Sequence, residues 1–330
     1  MKKLFIMGLA AMGLALTACN SDETVEVAKG KAINFASFVD KSTRGAADDV
    51  TIANLKSIEV YGWRGDAQIF NKQQVTVAEN GEGTYSPLQY WEANYAYAFE
   101  AIAPKAGEKG VQFEAAKAGG KITFENNATT DLLYANTTAT MPEKITAAPE
   151  KVNFTFKHQL ARVKFTFKNT FPANAAAKIS VKDVKITNAY KNGTTTPAAT
   201  DANWSATNPI LSVSFANMAN GGPTDLVANT GVGATDHMYL IPTGKEELYK
   251  VTFTVTLNQN GATTDYSHSV TIKTTQLKGM SYNYIAEIND SNIDPNPNSQ
   301  LYPIKFTATV DTWGENWTDK AFDVKSATNN

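Results

Sequence analysis

The 330-residue chain is 42% apolar and 10% aromatic, enough to bury one large core or two. Its formal net charge of −2 leaves no basic excess to hold a polyanion, which argues against nucleic acid as a partner. Past the first twenty residues no apolar run is long enough to cross a bilayer.

The chain starts with Met1-Lys2-Lys3 and an apolar stretch from Leu4 to Leu16. That stretch is too short to span a membrane and has the proportions of a secretory signal. It ends in Leu16-Thr17-Ala18-Cys19, which resembles the bacterial lipobox. Residues 1–18 are therefore expected to be a lipoprotein signal peptide, with Cys19 the lipidated (palmitate-bearing) new N-terminus. Cys19 is the only cysteine, so neither an internal disulfide nor a zinc-thiolate cluster can form. Acyl chains at Cys19 anchor through buried methylenes rather than a spanning helix. Asn20-Ser21-Asp22-Glu23 is similar to the acidic tract that sends lipoproteins of the Bacteroidetes to the outer face of the outer membrane. Residues 19–30 read as a flexible tether.

Strand signals dominate the rest. In chain order they cover Ala32–Phe38, Ile58–Trp63, Val75–Val77, Tyr95–Ile102 and Ile122–Phe124. Val152, Phe154 and Phe156 then alternate with polar residues, as do Val163, Phe165 and Phe167. The apolar phase slips between these two runs, which predicts a β-bulge near Leu160-Ala161. A similar slip separates Ile179 and Val181 from Val184 and Ile186. Further strands are expected at Leu211–Phe215 and Met238–Ile241. Tyr249–Leu257 and Tyr266–Ile272 should pair through an Asn260-Gly261 turn, because Asn-Gly supplies the positive φ angles of a tight hairpin. Asn80-Gly81 and Asn192-Gly193 offer two more turns. Tyr282–Ile288 is the next strand. Two irregular stretches, Ala216–Asp236 and Asn289–Gln300, interrupt the pattern. Many short strands with turn punctuation predict an all-β chain of sandwiches or barrels. The boundary falls near Pro149, giving an N-terminal β-sandwich domain over 31–150 and a C-terminal one over 151–330.

Six stretches stand in order along the chain: Ile33-Asn34-Phe35, Ser42-Thr43-Arg44-Gly45, Tyr90-Trp91 ahead of Tyr97-Ala98-Phe99-Glu100-Ala101, Phe156-Lys157-His158-Gln159-Leu160-Ala161-Arg162-Val163, Tyr239-Leu240-Ile241-Pro242 and Val310-Asp311-Thr312-Trp313. Together they resemble the fimbrillin family, the subunits of Bacteroidales type V pili. The resemblance implies two transthyretin-like β-sandwich domains in tandem, export as a lipoprotein to the surface of the outer membrane, and a place in a fimbrium. It also implies cleavage after Arg44 by an arginine-specific protease and polymerisation with other pilin subunits, of the same or another kind, by donor strand exchange. Cleavage before Gly45 would remove the first strand, with Ile33 and Phe35, and leave unpaired backbone and an apolar groove for another subunit's strand. Such a head-to-tail contact grows an open filament.

The chain holds three arginines. Arg162 lies within a strand pair and Arg64 just after a strand. Arg44 alone lies in a polar, loop-like run, the kind of segment that proteases cut. The candidate donor strand is within 301–310, where Tyr302, Ile304, Phe306, Ala308 and Val310 project to one face. An ordinary last strand of the second sandwich fits the same pattern equally well.

No catalytic constellation, cofactor motif or metal-ligand spacing emerges. His158, His237 and His268 are widely spaced; His158 reads as a structural hydrogen-bonding group and His268 as a partly buried strand residue. Asp290, Asn292, Asp294 and Asn296 alternate in a loop but lack the Gly and distal Glu of a calcium loop. The leading expectation is a pilus structural subunit or pilus-linked adhesin that binds host or bacterial surface ligands, not an enzyme. The alternatives are a monomeric cell-surface glycan-binding lipoprotein, which needs an exposed aromatic platform, and an anchored hydrolase, which needs converging carboxylates or a nucleophile.

Overall fold

The computed structural model describes residues 30–39, 50–144, 147–199, 203–215, 223–296, 303–312 and 321–322. It is all-β, as the alternation requires. The first half contains β1 (Phe35–Val39), β2 (Ser57–Arg64), β3 (Ala67–Val77), β4 (Glu82–Thr84), β5 (Ala96–Ala103), the hairpin β6 (Val111–Glu114) and β7 (Lys121–Glu125), β8 (Leu133–Thr140) and β9 (Val152–His158). All but β6 and β7 pair in the cyclic order β1-β4-β3-β2-β5-β8-β9, so this sheet closes on itself. Its interior is aromatic: Phe35, Phe70, Trp91, Tyr97, Phe99, Phe154 and Phe156 are all buried.

The second half contains β10 (Ala161–Asn169), β11 (Ala177–Thr195), β12 (Ser205–Ser214), β13 (Leu226–Val227), β14 (Val232–Ala234), β15 (Met238–Leu240), β16 (Glu246–Gln259), β17 (Ala262–Thr275), β18 (Met280–Ile288), β19 (Phe306–Thr312) and β20 (Ala321–Phe322). One sheet runs β14-β10-β18-β19-β20, with β15 also on β10. The other runs β17-β16-β11-β7-β6, with β12 and β13 also on β11. Inward residues of both form one core, including Phe165, Phe167, Val181, Phe253, Tyr284 and Phe306. This is a sandwich in which alternate residues of each sheet face the other.

Pairing moves the expected division of the chain. Residues 152–158, assigned from sequence to the second domain, complete the first sheet through β1 and β8. The chain crosses between sheets at Gln159-Leu160. The slip in apolar phase there is this crossing rather than a bulge, because β9 and β10 belong to different sheets. The second slip is a bulge: the β11–β16 register shifts between Lys182 and Lys185, where Asp183 has φ 56. The β6–β7 hairpin of the first half extends the second half's sheet by pairing Ile122–Glu125 with Asn192–Thr195.

A third apolar cluster joins the halves. Tyr61, Trp63, Phe113, Phe124 and Leu132 meet Leu160, Trp204, Tyr239 and Ile241 there, all buried. Asn192-Gly193, expected as a turn, lies inside β11 instead. Gly193 has no side chain, so the Trp204 ring and Ile241 pack onto its backbone; a Cβ would meet Trp204 at 3.0 Å and Ile241 at 3.2 Å.

Candidate strand-exchange site

β1 fills the gap between β4 and β9. It runs parallel to β9 over five residue pairs, Phe35↔Val152 to Val39↔Phe156. It meets the three-residue β4 at only two, Phe35↔Gly83 and Ala36↔Glu82. Ile33 (0% exposed) and Phe35 (1%) point inward, where the Phe35 ring is 5.3 Å from Phe70, 5.2 Å from Tyr85 and 5.6 Å from Phe154. Burying Ile33 and Phe35 contributes about 3–6 kcal/mol together. Tyr85 Oη donates to Ile33 O at 2.6 Å, and Ile33 N donates to Gln89 O at 2.9 Å. Ser37 is fully buried, yet its Oγ has no hydrogen-bond partner among the described residues.

Two glycines make the approach of β4 possible. Gly81 has φ +84, and a Cβ there would stand 2.3 Å from Ser37 O. At Gly83 a Cβ would meet Val75 Cγ1 at 2.7 Å and Phe35 Cβ at 3.1 Å. On the outer side, Lys151 donates to the Glu82 carboxylate. Lys151 precedes β9 and Glu82 lies in β4, so this exposed ion pair reaches across β1. The hydrogen bond from Lys151 holds the Glu82 carboxyl below its usual range.

The chain is also pinned where it returns. Val50 N donates to Asp131 Oδ2 at 3.1 Å, and Asp131 Oδ1 is 2.9 Å from His158 Nδ1 at the end of β9. Both side chains of this pair are buried. Val39 and Val50 both pack against the first core. The ten residues between them, 40–49, carry Arg44 and Gly45, which lie outside the described residues, as do Cys19, Tyr302, Trp313 and Trp317.

The other two arginines are engaged. Arg162 is 1% exposed, and its Nε donates to Ser281 Oγ at 3.0 Å. Arg64 ends β2, pairs with Glu92 and lies 5.4 Å over the Tyr95 ring.

The candidate donor residues lie in the second half. β19 pairs antiparallel with β18 from Phe306↔Ala286 to Thr312↔Met280. Ile304, Phe306 and Ala308 are buried in that half's core, and Val310 packs against it. They are therefore far from β1 in pairing order, within an independent sheet.

The FKHQLARV stretch is the joint between halves. His158 holds Asp131, Trp204 Nε1 donates to Gln159 O at 2.6 Å, and Leu160 enters the joining cluster. His268 stacks on Phe253 with centroids 5.1 Å apart, and burial pulls its pKa down. Asn292, considered as a cation ligand, turns inward: its Nδ2 donates to Glu287 O and its Oδ1 accepts from Asn289 N. Trp63, Trp91 and Trp204 are buried, so none offers a platform for sugar rings.

Sequence reasoning did not single out two buried carboxylates, of which Glu100 holds the β6–β7 loop. Glu100, 2% exposed, accepts hydrogen bonds from Gly120 N at 2.6 Å, Ala116 N at 3.1 Å and Tyr134 Oη at 2.6 Å. Burial raises its pKa. Glu59 accepts from Tyr61 Oη at 2.6 Å. Periodicity cannot mark such residues, because a buried carboxylate reads as a surface one.

The fold is shared with a solved structure. A candidate cell adhesion protein from Bacteroides ovatus aligns at 17% identity and TM-score 0.51, over 86% of this chain and 98% of its own. One from Bacteroides uniformis aligns at 17% identity and TM-score 0.48, over 86% and 99%. No curated protein matches the sequence. The fimbrillin-like family model matches residues 43–313, and the chain belongs to that family. Membership gives it a fimbrial role at the cell surface, structural rather than enzymatic.

Proposed function

We propose that this chain is a pilus structural subunit or pilus-linked adhesin whose β1 is a replaceable strand. It is exported as a lipoprotein lipidated at Cys19 and held at the outer membrane. An arginine-specific protease cuts between Arg44 and Gly45, and a strand of a neighbouring pilin subunit then takes the place of β1. The observation that carries this reading is the position of β1: removing it uncovers the edges of both β4 and β9 and a groove one strand wide. Segment 40–49 is its covalent link to the rest of the domain. While the link is intact, β1 competes at a high effective concentration; once cut, it can be lost to a competitor.

Within this chain the best match to the groove is the candidate donor itself. Ile33, Phe35, Ser37 and Val39 correspond to Ile304, Phe306, Ala308 and Val310 at the same spacing. Ala308 at the Ser37 position removes a buried hydroxyl without a partner. Donation by β19 uncovers its own core as it fills the neighbour's, so the exchange is nearly balanced in buried area.

The test is digestion of the purified chain with an arginine-specific protease, followed by denaturing gels without heating. We expect a core beginning at Gly45 and ladders of multimers, both abolished by Arg44→Ala and unaffected by Arg64→Lys. A cut chain that stays monomeric, or no cut at Arg44, contradicts the stalk role and favours a monomeric surface protein.

A further inference from the structure

β17 ends its sheet. Among the described residues it pairs only with β16, and no other backbone group bonds to it. That pairing runs from Gln259↔Ala262 to Glu246↔Thr275 without a register shift. The two-residue Asn260-Gly261 turn closes on a hydrogen-bonded pair, and such pairs alternate along a ladder. The even-numbered residues of β17 therefore bond to β16, while the odd-numbered ones, from Thr263 to Thr275, turn N–H and C=O to the free edge. Native sheets blunt such edges with short length, proline, a bulge or projecting charge. Other strands at sheet ends here obey that rule: β6, β14 and β20 have four, three and two residues, and β12 carries Pro209. β17 uses none of these devices. It runs for 14 residues with no proline and no bulge. Its charges are neutralised from within the sheet, Asp265 by Lys182 at 2.7 Å and Lys273 by Glu246 at 2.8 Å.

The strand is complementary to itself. Turned antiparallel about Ser269, with odd residues facing odd, it sets Asp265 against Lys273 of the second copy on both sides of the axis. Ser267 then faces Thr271, and Thr263 faces Thr275, so no like charges meet. The core-facing side matches as well: Tyr266 falls opposite Ile272 of the second copy, and His268 opposite Val270. Tyr266 and Val270 are only partly buried against their own core, and a strand laid alongside covers them further. Sliding the copies by two residues in either direction loses both Asp265–Lys273 pairs.

We propose that β17 is an interaction surface for a second copy of this chain, joined edge to edge by an antiparallel β17–β17 pair centred on Ser269. Two sheets then become one, crossed by charges of alternating sign: Lys182 and Asp265 of one copy, Lys273 and Glu246 of the second copy. A two-fold contact of this kind closes at a pair and does not grow a filament. It lies apart from the β1 slot and needs neither cleavage nor strand exchange.

The test uses the uncut mature chain carrying Cys19→Ser, which leaves no lipid or native thiol to join copies. Sedimentation equilibrium should show a reversible monomer–dimer equilibrium with a Kd below about 100 μM. Ser269→Pro removes an N–H that faces the free edge and leaves the β16 bonds in place. It should keep the parent's circular dichroism and weaken the dimer about tenfold or more. A second variant does not depend on proline being tolerated. Ser269→Cys sets each thiol opposite its own copy, with Cα atoms about 5.5 Å apart, and mild oxidation should trap a disulfide dimer. Ser267 is exposed like Ser269, but in this register it lies about 13 Å from its own copy along the strand. Ser267→Cys should therefore cross-link at least about tenfold more slowly. A chain that stays monomeric at about 300 μM overturns the proposal. So does a dimer unchanged in a folded Ser269→Pro chain, equal cross-linking at the two positions, or association beyond a pair.

Discussion

Gly81 and Ser37 touch backbone to backbone: Ser37 N donates to Gly81 O at 2.8 Å, and a side chain on Gly81 would collide with Ser37 O. This contact makes Gly81 a gauge of how tightly β1 is seated. Gly81→Ala should loosen Phe35–Val39 first, seen as faster amide exchange there, with a lower melting temperature. Gly261 is the control: it has φ +81 but nothing within 4 Å of a Cβ. Gly261→Ala should cost only backbone strain, about 1–2 kcal/mol, and leave β1 exchange unchanged. Equal effects at the two positions contradict this account of the slot.

Phe35 should dominate the affinity of the slot for its strand. Phe35→Ala is expected to destabilise the chain by about 3–5 kcal/mol. Phe38 is half exposed, and Phe38→Ala should cost far less. Urea unfolding curves of the two variants check the ranking.

Trp204 locks the halves together through its ring against Gly193 and its hydrogen bond to Gln159 O. Trp204→Ala should cost about 3–5 kcal/mol and separate one unfolding transition into two. A single transition in the variant, by both calorimetry and fluorescence, would show that the halves stay coupled without Trp204 and contradict this role for it.

Two buried groups should bend the pH profile in opposite directions. Glu100 has a raised folded pKa, so its contribution is full below the ordinary glutamate pKa and is lost as pH rises through the folded value. Compared with Glu100→Gln, the parent chain should therefore gain stability from neutral pH to about pH 4.5. His268 has a lowered folded pKa, and its unfolded form binds a proton first. Stability is present above about pH 6.5 and is lost below it, by up to about 1.4 kcal/mol per pH unit. His268→Phe keeps the stack on Phe253 and should abolish that loss. Urea midpoints across pH 4.5–7.5 test both signs.

Much of the fold is legible in the chain because it is local. Asn260-Gly261 forms the β16–β17 turn with both residues at positive φ, 53 and 81, and the strands pair in register from Gln259↔Ala262. Asn192-Gly193 carries the same dipeptide but continues a strand, because Trp204 packs on it from another part of the chain. β8 was not visible: Leu-Tyr-Ala-Asn-Thr-Thr-Ala-Thr lacks strong alternation and is set by pairing with β5 along its length. Ile33 and Phe35 were legible as a buried strand. Their neighbours were not, because parallel pairing with β9, more than a hundred residues away, leaves no local mark. The phase slip at Leu160 was seen, but one sequence does not tell a bulge from a change of sheet.

The central claim is that β1 is a replaceable part of the first sheet, and direct exchange tests it. The chain is cut at Arg44 and mixed with an isotope-labelled peptide spanning residues 30–41; native mass spectrometry then follows which segment is bound. We expect stoichiometric uptake of the label, with the original strand released and the Gly45-onward body still folded. A cut chain that never takes up the peptide, or a body that unfolds as soon as its own strand leaves, would contradict it.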